Sequence, residues 1–175
     1  MLVNAAGAWV DAVAERAGAR AIGLAAKRRT VVQLRLERPI DPAGPLVLAL
    51  DGNFYFKPVG RDRIWLSPGD EGESEAVDNA PDEWDVALAL DRFARAVDWP
   101  VAAAERRWAG LRTFAPDCAP VIGWDGAADG LFWFAGQGGW GIQTAPAAAA
   151  LAAGVLLGDG ATEPASDPIR FGRAL

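Results

Sequence analysis

The chain has 175 residues, of which 51% are hydrophobic, so it can bury a core and does not have the composition of a disordered protein. Its net charge of −6 argues against a nucleic-acid-binding protein, which normally presents a basic face. The sequence contains no histidine, which excludes a Ser-His-Asp or Cys-His triad and removes the commonest metal ligand. We therefore predict no metal site.

The cysteine content and the apolar stretches suggest where the protein functions. Cys118 is the only cysteine, which excludes an internal disulfide and fits a reducing compartment. The sequence has no uninterrupted apolar stretch of about 18 residues, so we expect no membrane span. The first residues lack the charged region of a signal peptide. These features predict a cytoplasmic protein.

The first half of the chain predicts a helix and an antiparallel meander. "MLVNAAG" is typical of the end of a buried strand entering a glycine turn, and "AWVDAVAERAG" then predicts a helix. Short β-branched or apolar runs separated by Pro and Gly turns predict four successive strands. These strands are expected at 28–37, 46–50, 53–59 and 61–69, and the second of them is expected to be buried.

The second half predicts one amphipathic helix, three strands and a final helix. Pro81 suits a first helical position, and the helix is expected to end near Val97. Its expected buried face consists of Trp84, Ala87, Leu88, Leu90, Ala94 and Val97. Extended segments are expected at 102–116, 119–124 and 130–136. The last helix is expected from Gly141 to Leu157, ended by Gly158, so the predicted fold class is α+β.

The segment 69–85 carries eight acidic residues and no basic residue. Part of this charge suits the positive end of a helix dipole, because Asp82 and Glu83 stand at the expected helix start. The alternative is a binding site for a basic ligand. We favour a solvated loop followed by a charged first turn.

The stretch "FAGQGGWGIQTAPA" at residues 134–147 is the strongest functional signal. Successive glycines allow the backbone to approach a flat ligand, and the amides that open the next helix can bind a phosphate or the electron-rich edge of a flavin. The same glycines also suit a tight turn that packs a helix on a sheet. The pattern alone leaves both interpretations open.

Five motifs in order resemble a known family: "NAAGAW", "KRRT", "NFYFKP", "RRWAGLRTFAPD" and "AGQGGWGIQTAPA". The chain resembles the C-terminal part of the FAD-dependent D-amino-acid oxidase family, and within it the bacterial D-arginine-type D-amino-acid dehydrogenases. The resemblance implies hydride transfer from the Cα of an amino acid to non-covalently bound FAD. The imino acid so formed hydrolyses to a 2-oxo acid and ammonia.

The resemblance also implies roles for individual residues. Arg112 matches the arginine that binds the substrate carboxylate, Tyr55 matches a pocket tyrosine, and Arg29 (or Arg28, one position earlier) matches a second pocket arginine. Gln143 is implied in both substrate and flavin contacts. The remaining residues implied to contact FAD are Ala5, Ala6, Gly7, Gly138, Gly139, Trp140, Gly141, Ile142 and Thr144. No catalytic residue is identified.

Some members of the family attach the flavin covalently through a cysteine upstream of the "PD" element. Gly110 occupies approximately that position here, whereas Cys118 follows "PD". The resemblance therefore implies no covalent link. We expect Cys118 to be a small packing residue.

The family begins with a Rossmann unit whose G-x-G-x-x-G turn holds the pyrophosphate, and no such unit opens this sequence. The resemblance therefore predicts a truncated form, natural or artificial, or one piece of a split enzyme. Residues 1–24 would be a remnant of the FAD-binding domain, 25–112 the substrate-binding domain, and 113–175 the flavin-contacting strand–turn–helix that returns to the FAD domain.

The resemblance implies three kinds of partner. These are a small amino-acid substrate and either a Rossmann-containing partner chain or, through apolar surface left bare by the missing half, a second copy of the chain in a homodimer. The alternative to an enzyme fragment is a non-catalytic remnant that binds a small carboxylate or another protein.

Overall fold

The computed structural model describes residues 1–172 and has eight strands and three α-helices. The strands are β1 Leu2–Asn4, β2 Ala25–Leu36, β3 Val47–Leu48, β4 Tyr55–Pro58, β5 Arg63–Ser67, β6 Val101–Phe114, β7 Val121–Trp124 and β8 Leu131–Ala135. The α-helices are α1 Val10–Arg16, α2 Glu83–Ala96 and α3 Gly141–Leu157. Single 3-10 turns lie at Gly7–Trp9 and Pro168–Phe171. The predicted α+β class is confirmed.

The chain divides into two compact units. The first contains 1–27, 73–77 and 111–172, and the second contains 28–72 and 78–110. The division passes through β2 and β6. The assignment of 1–24, 25–112 and 113–175 to FAD-binding and substrate-binding parts stays a prediction, and its last three residues lie outside the described residues.

The first unit is built on a three-stranded mixed sheet in the order β1-β8-β7. β1 is parallel to β8, and β7 is antiparallel to it. β8 is almost continuously apolar because it is covered on both faces. One face packs Leu131, Trp133 and Ala135 in a cluster with Val10 and Ala14 of α1. The other face packs Phe132 against Ala152 and Val155 of α3.

The second unit contains most of a five-stranded sheet in the order β3-β4-β5-β2-β6. β2, β3, β4 and β5 form antiparallel pairs, as the meander predicts, with Val32 of β2 opposite Leu66 of β5. Alternate residues point to one face and bury their side chains against α2. The ring of Phe56 meets that of Phe93 of α2 edge to face, with 5.3 Å between ring centroids.

The predicted buried face of the second helix is only partly correct: Leu90 and Val97 pack against the core, but Trp84, Ala87 and Ala94 are exposed. The buried residues of α2 are Val86, Ala89 and Phe93, and Trp84 is 73% exposed. The helix begins at Glu83, not Pro81, because the carboxylate of Asp82 accepts the Trp84 amide at 2.8 Å and forms the N-cap. The docking of Phe93 on the sheet sets the rotation of the helix, and the large Trp84 remains in its outward-facing first turn.

The strand expected at 46–50 is also only partly correct. Only Val47 and Leu48 pair with β4, and both side chains are exposed. β3 is an edge strand that is limited by Pro45 before it and by a turn from Ala49 to Gly52 after it. The apolar run therefore does not mark a buried strand.

The last helix agrees with its predicted bounds. It runs from Gly141 to Leu157, and Gly158 follows in the left-handed conformation that ends a helix. Among residues 1–172, no helix is both long enough and apolar enough to cross a membrane.

Arg170 anchors the last turn of the described chain to the loop that follows β6. Its Nε donates to Oδ2 of Asp117 at 2.6 Å, and its Nη2 donates to the carbonyl oxygens of Ala119 and Pro120. The hydrogen bond from Arg170 lowers the pKa of the Asp117 carboxyl below its ordinary value. The Asp117 side chain is 41% exposed, so solvent weakens the pair.

We expect Arg170→Gln to lower the free energy of unfolding by about 1 kcal/mol at neutral pH. Because the folded-state pKa of Asp117 is depressed, the pair stabilises above the unfolded-state pKa of about 3.9. This stability is lost as the pH falls through the folded-state pKa. Urea unfolding at several pH values should therefore show the mutant and wild type converging in acid. Arg106→Gln, at an exposed position of β6, is the control, and a pH-independent difference would contradict the assignment.

Candidate functional site

The glycine turn between β8 and α3 is shaped first by its protein neighbours. The Gly138 amide donates to the Thr113 carbonyl oxygen at 2.9 Å, and Gly138 has a φ of +55°. A Cβ on Gly138 would lie 2.8 Å from the Phe114 ring, and one on Gly139 would lie 3.0 Å from Nη1 of Arg112. Gly138 therefore requires glycine, because of both its positive φ and the Phe114 ring, whereas at Gly139 the tip of the flexible Arg112 side chain could move aside. This supports the structural interpretation of Gly138.

The N-terminus of α3 has the features of a helix N-terminus that can bind an anion. Trp140 is the N-cap residue, with no side-chain cap, and the first turn carries no acidic residue. Within residues 1–172, no backbone carbonyl accepts from the amides of Gly141, Ile142 and Gln143. Ile142 is 97% exposed, and the Thr144 hydroxyl donates back to the Trp140 carbonyl oxygen at 2.9 Å. Three amides and a positive dipole end are therefore open to a ligand.

The predicted turn at Ala5, Ala6 and Gly7 follows β1. Because β1 and β8 are parallel neighbours, with Asn4 in register with Trp133, their carboxyl ends lie at one edge of the sheet. Ligands of α/β sheets bind at that edge. Gly7 has a φ of +57°, and a Cβ on it would meet nothing within 4 Å, so space there is open. The structure thus places both predicted cofactor turns after adjacent parallel strands.

Asn4 is a functional candidate that was not predicted from the sequence. It is 1% exposed, and its Nδ2 donates to the Val10 carbonyl oxygen at 2.8 Å. Its Oδ1 has no hydrogen-bond partner within residues 1–172. A buried acceptor without a donor is costly, so Oδ1 fits a ligand hydroxyl or amide. Its place inside "NAAGAW" was the only signal in the sequence.

Arg112 lies beside the glycine turn within the first unit. It is half-buried near the end of β6, and its guanidinium borders the backbone of Gly139. Gln143 is exposed in the first turn of α3. The planar fork of an arginine can bind both oxygens of a carboxylate, which lysine cannot do.

Arg29 and Tyr55 lie together within the second unit. The Arg29 guanidinium lies 5.8 Å from the centroid of the Tyr55 ring. Its Nε donates to the Asp70 carbonyl oxygen at 2.7 Å, and its Nη2 donates to Glu71 at 3.0 Å. These bonds fix the position of the guanidinium.

Arg28, the alternative to Arg29, forms an ion pair with a carboxylate of the protein itself. Its Nη2 lies 2.6 Å from Oδ2 of Asp85. The expectation of a fully solvated acidic segment is wrong for Asp70, whose side chain is only 7% exposed. Both of its carboxylate oxygens accept from Thr30. The acidic run therefore includes partners of Arg28 and Arg29, which sequence spacing alone could not reveal.

Cys118 is not a packing residue, and that prediction is wrong. It is exposed, it has a φ of +61°, and its amide donates to the Ala115 carbonyl oxygen at 2.8 Å in a tight turn. Gly110 is exposed in β6, and the absence of a covalent flavin link stays a prediction. Within residues 1–172, no group of three or more Cys, Asp or Glu side chains could hold a metal ion.

Comparisons with known proteins show the family of the chain and support its fold. A sequence model of the family described as FAD-dependent oxidoreductase matches residues 2–154. L-proline dehydrogenase from P. horikoshii superposes with a TM-score of 0.80 at 23% identity, over 99% of this chain and 47% of that one. Iminodiacetate oxidase from Chelativorans sp. BNC1 gives 0.75 at 20% identity, over 93% and 43%. Glycine oxidase from Geobacillus kaustophilus gives 0.72 at 24% identity, over 97% and 44%. The chain spans less than half the length of these three structures, whose likeness supports the fold.

Proposed function

This chain belongs to the family of FAD-dependent oxidoreductases, and we propose that it is the flavin- and substrate-contacting portion of an amino-acid dehydrogenase or oxidase. Within the family, we propose that it corresponds to the C-terminal part and is most similar to D-arginine-type D-amino-acid dehydrogenases. The proposal rests on the five ordered motifs and on the two glycine turns of the first unit.

One observation carries the proposal: both predicted cofactor turns follow the carboxyl ends of the parallel pair β1 and β8. The residues fit FAD in two respects. The open amides at Gly141, Ile142 and Gln143 suit the electron-rich edge of a flavin ring, and the buried Oδ1 of Asn4 suits a hydroxyl of the cofactor. Gly138 shapes the turn and is not itself evidence of a ligand, because the Phe114 ring of β6 fills the space in front of it.

The substrate-binding groups come from each unit separately. In the first unit, we assign Arg112 to the carboxylate of the amino acid and Gln143 to a further polar contact. In the second unit, Arg29 stacks on Tyr55, so its charge is held in place for a second anionic contact. Fixed cations orient a substrate before it reacts, which lowers the entropic part of the barrier.

Bound FAD would supply a hydride acceptor for the Cα of the amino acid; loss of that hydride from the substrate with an unprotonated amine would leave an iminium acid, which water hydrolyses to a 2-oxo acid and ammonium. This chain's own residues bind the carboxylate and supply the dipole of α3. No residue of the chain is assigned as a base. Because the chain spans less than half of its solved relatives, we propose that a second polypeptide segment supplies the pyrophosphate-binding half.

The surface of α3 also favours a partner. The helix carries no charged residue from Gly141 to Leu157, and Leu157 is 75% exposed. An uncharged helix face of this kind suits burial against another polypeptide, either a Rossmann-containing chain or a second copy. We place the protein in the cytoplasm. The same surface supports the alternative proposal, a non-catalytic module that binds a small carboxylate or a protein.

Arg112→Ala should weaken binding of D-arginine by about 10- to 100-fold, equivalent to about 1.5–3 kcal/mol, because a hydrogen-bonded ion pair to the carboxylate is lost. Calorimetric titration of the purified chain measures the affinity. D-argininamide, which lacks the carboxylate, should bind equally to wild type and mutant. Arg106→Ala is the matched control on β6. Unchanged affinity for D-arginine, or an equal loss for the amide, would remove Arg112 from the proposed site.

A further inference from the structure

A cleft of about 360 Å³ lies in the second unit, among residues to which the proposed function assigns no role. Its walls come from the connection between β2 and β3, from β3 and β4, and from Trp99, which follows α2 by three positions. The residues that matter for its chemistry are Arg38, Pro39, Pro45, Phe56, Pro58 and Trp99. Its volume is within the range of small-molecule sites.

The cleft is mainly apolar, and its aromatic wall packs against the core. The Trp99 ring meets Phe56 and Phe93 edge to face, with centroid distances of 5.7 Å and 6.4 Å, so the core holds it in one orientation. Prolines line the walls, and their fixed φ angles limit the motion of the backbone. A preformed cleft with an aromatic wall binds a flat apolar group at a low cost in conformational entropy.

One cation stands at this cleft. The Arg38 guanidinium lies 5.9 Å from the centroid of the Trp99 ring, and the residue is exposed. Within residues 1–172, no carboxylate lies within 4.0 Å of its nitrogens. The nearby Asp41 also borders the cleft, but its Oδ1 accepts the Ala43 amide at 2.9 Å within its own turn. Arg38 is thus the group that is available to pair with a ligand.

We propose that this cleft binds a small carboxylate attached to an apolar ring. The ring lies against Trp99 and the proline walls, and the carboxylate pairs with Arg38. Arginine suits this task because its fork binds both carboxylate oxygens while its face stays on the indole. The site is independent of flavin and of the residues that are proposed to hold the amino acid.

A series of three ligands with the same ring and chain length tests the proposal: 4-phenylbutyrate, 4-phenylbutanol and 4-phenylbutylamine. Binding is followed by the NMR shift of the Trp99 indole N–H and of the Gly44 amide, and affinity is taken from the titration. We expect the carboxylate to bind about tenfold more tightly than the alcohol, with the amine weakest. Equal affinities would overturn the proposal. Tighter binding of the amine would assign the charge preference to Asp41 and would also overturn it.

Two variants locate the interaction without removing core residues. Arg38→Gln should abolish the preference for the carboxylate and leave binding of the alcohol unchanged. Val47→Trp places a large side chain into the cleft from the exposed strand β3, and it should block all three ligands. Arg106→Gln, on β6, should change neither the preference for the carboxylate nor the binding of the other two ligands. Retention of the charge preference in Arg38→Gln would contradict the proposed site.

Discussion

Replacing Gly138 with alanine is expected to lower the free energy of unfolding by about 2–4 kcal/mol. Gly138 has a φ of +55°, which costs an alanine about 1 kcal/mol. The new Cβ would also lie 2.8 Å from Cε1 of Phe114, and relief of such a clash in a packed region costs about 1–3 kcal/mol. Guanidinium unfolding followed by circular dichroism measures the loss.

Two further variants separate the cost of the positive φ from the cost of the clash with Phe114. Gly158 has a φ of +78° and open space around it, so Gly158→Ala should cost only about 1 kcal/mol. In the double mutant Gly138→Ala/Phe114→Leu, a leucine replaces the ring that clashes with the new Cβ. The double mutant should therefore lose less free energy of unfolding than the sum of the two single mutants. Equal costs for the two glycine variants would show that Phe114 does not explain the need for glycine at 138.

Replacing Asp11 with alanine should cost about 3 kcal/mol. The Asp11 carboxylate accepts three backbone amides, those of Ile22, Gly23 and Leu24, at 2.8–3.0 Å. These bonds join α1 to the segment that leads into β2. Charge-assisted hydrogen bonds are stronger than neutral ones, and their loss leaves amides unpaired in a partly buried place. Thermal and guanidinium unfolding measure the effect.

Asp98 gives the matched control, because it is an exposed aspartate for which no side-chain contact is seen within residues 1–172. Asp98→Ala should change the free energy of unfolding by less than about 0.5 kcal/mol. Asp11→Asn keeps one acceptor oxygen and should lie between alanine and wild type. A loss in Asp11→Ala no larger than that in Asp98→Ala would mean that the three-amide contact does not stabilise the fold.

The elements that the sequence predicted well are those set by local chemistry. β2, β4, β5, β7 and β8 have apolar or β-branched runs between turn residues, and α3 ends at a glycine that can adopt a positive φ. The buried face of α2 could not be predicted in this way, because it depends on the docking of Phe93 against Phe56. The short, exposed β3 likewise depends on its place at the sheet edge.

The candidate site shows the same division between local and distant causes. The sequence indicated that the turn after β8 needs glycines, and the structure supplies a cause at Gly138, the ring of Phe114, which is more than 20 positions away. The sequence also could not show that Asp70 and Glu71 hold Arg29, because that contact spans about 40 residues. Pairings over such distances require the fold.

The central claim is that the start of α3 and the turn after β1 contact a flavin. Titration of isotopically labelled protein with FAD tests it through the amide NMR signals. We expect saturable shifts confined mainly to Gly139–Thr144 and Ala5–Gly7. Ile142→Pro, which removes one donor at a position that tolerates proline, should weaken them, whereas Ile142→Ala should not. Absence of flavin-dependent shifts in these two turns, or saturable shifts elsewhere only, would contradict the account.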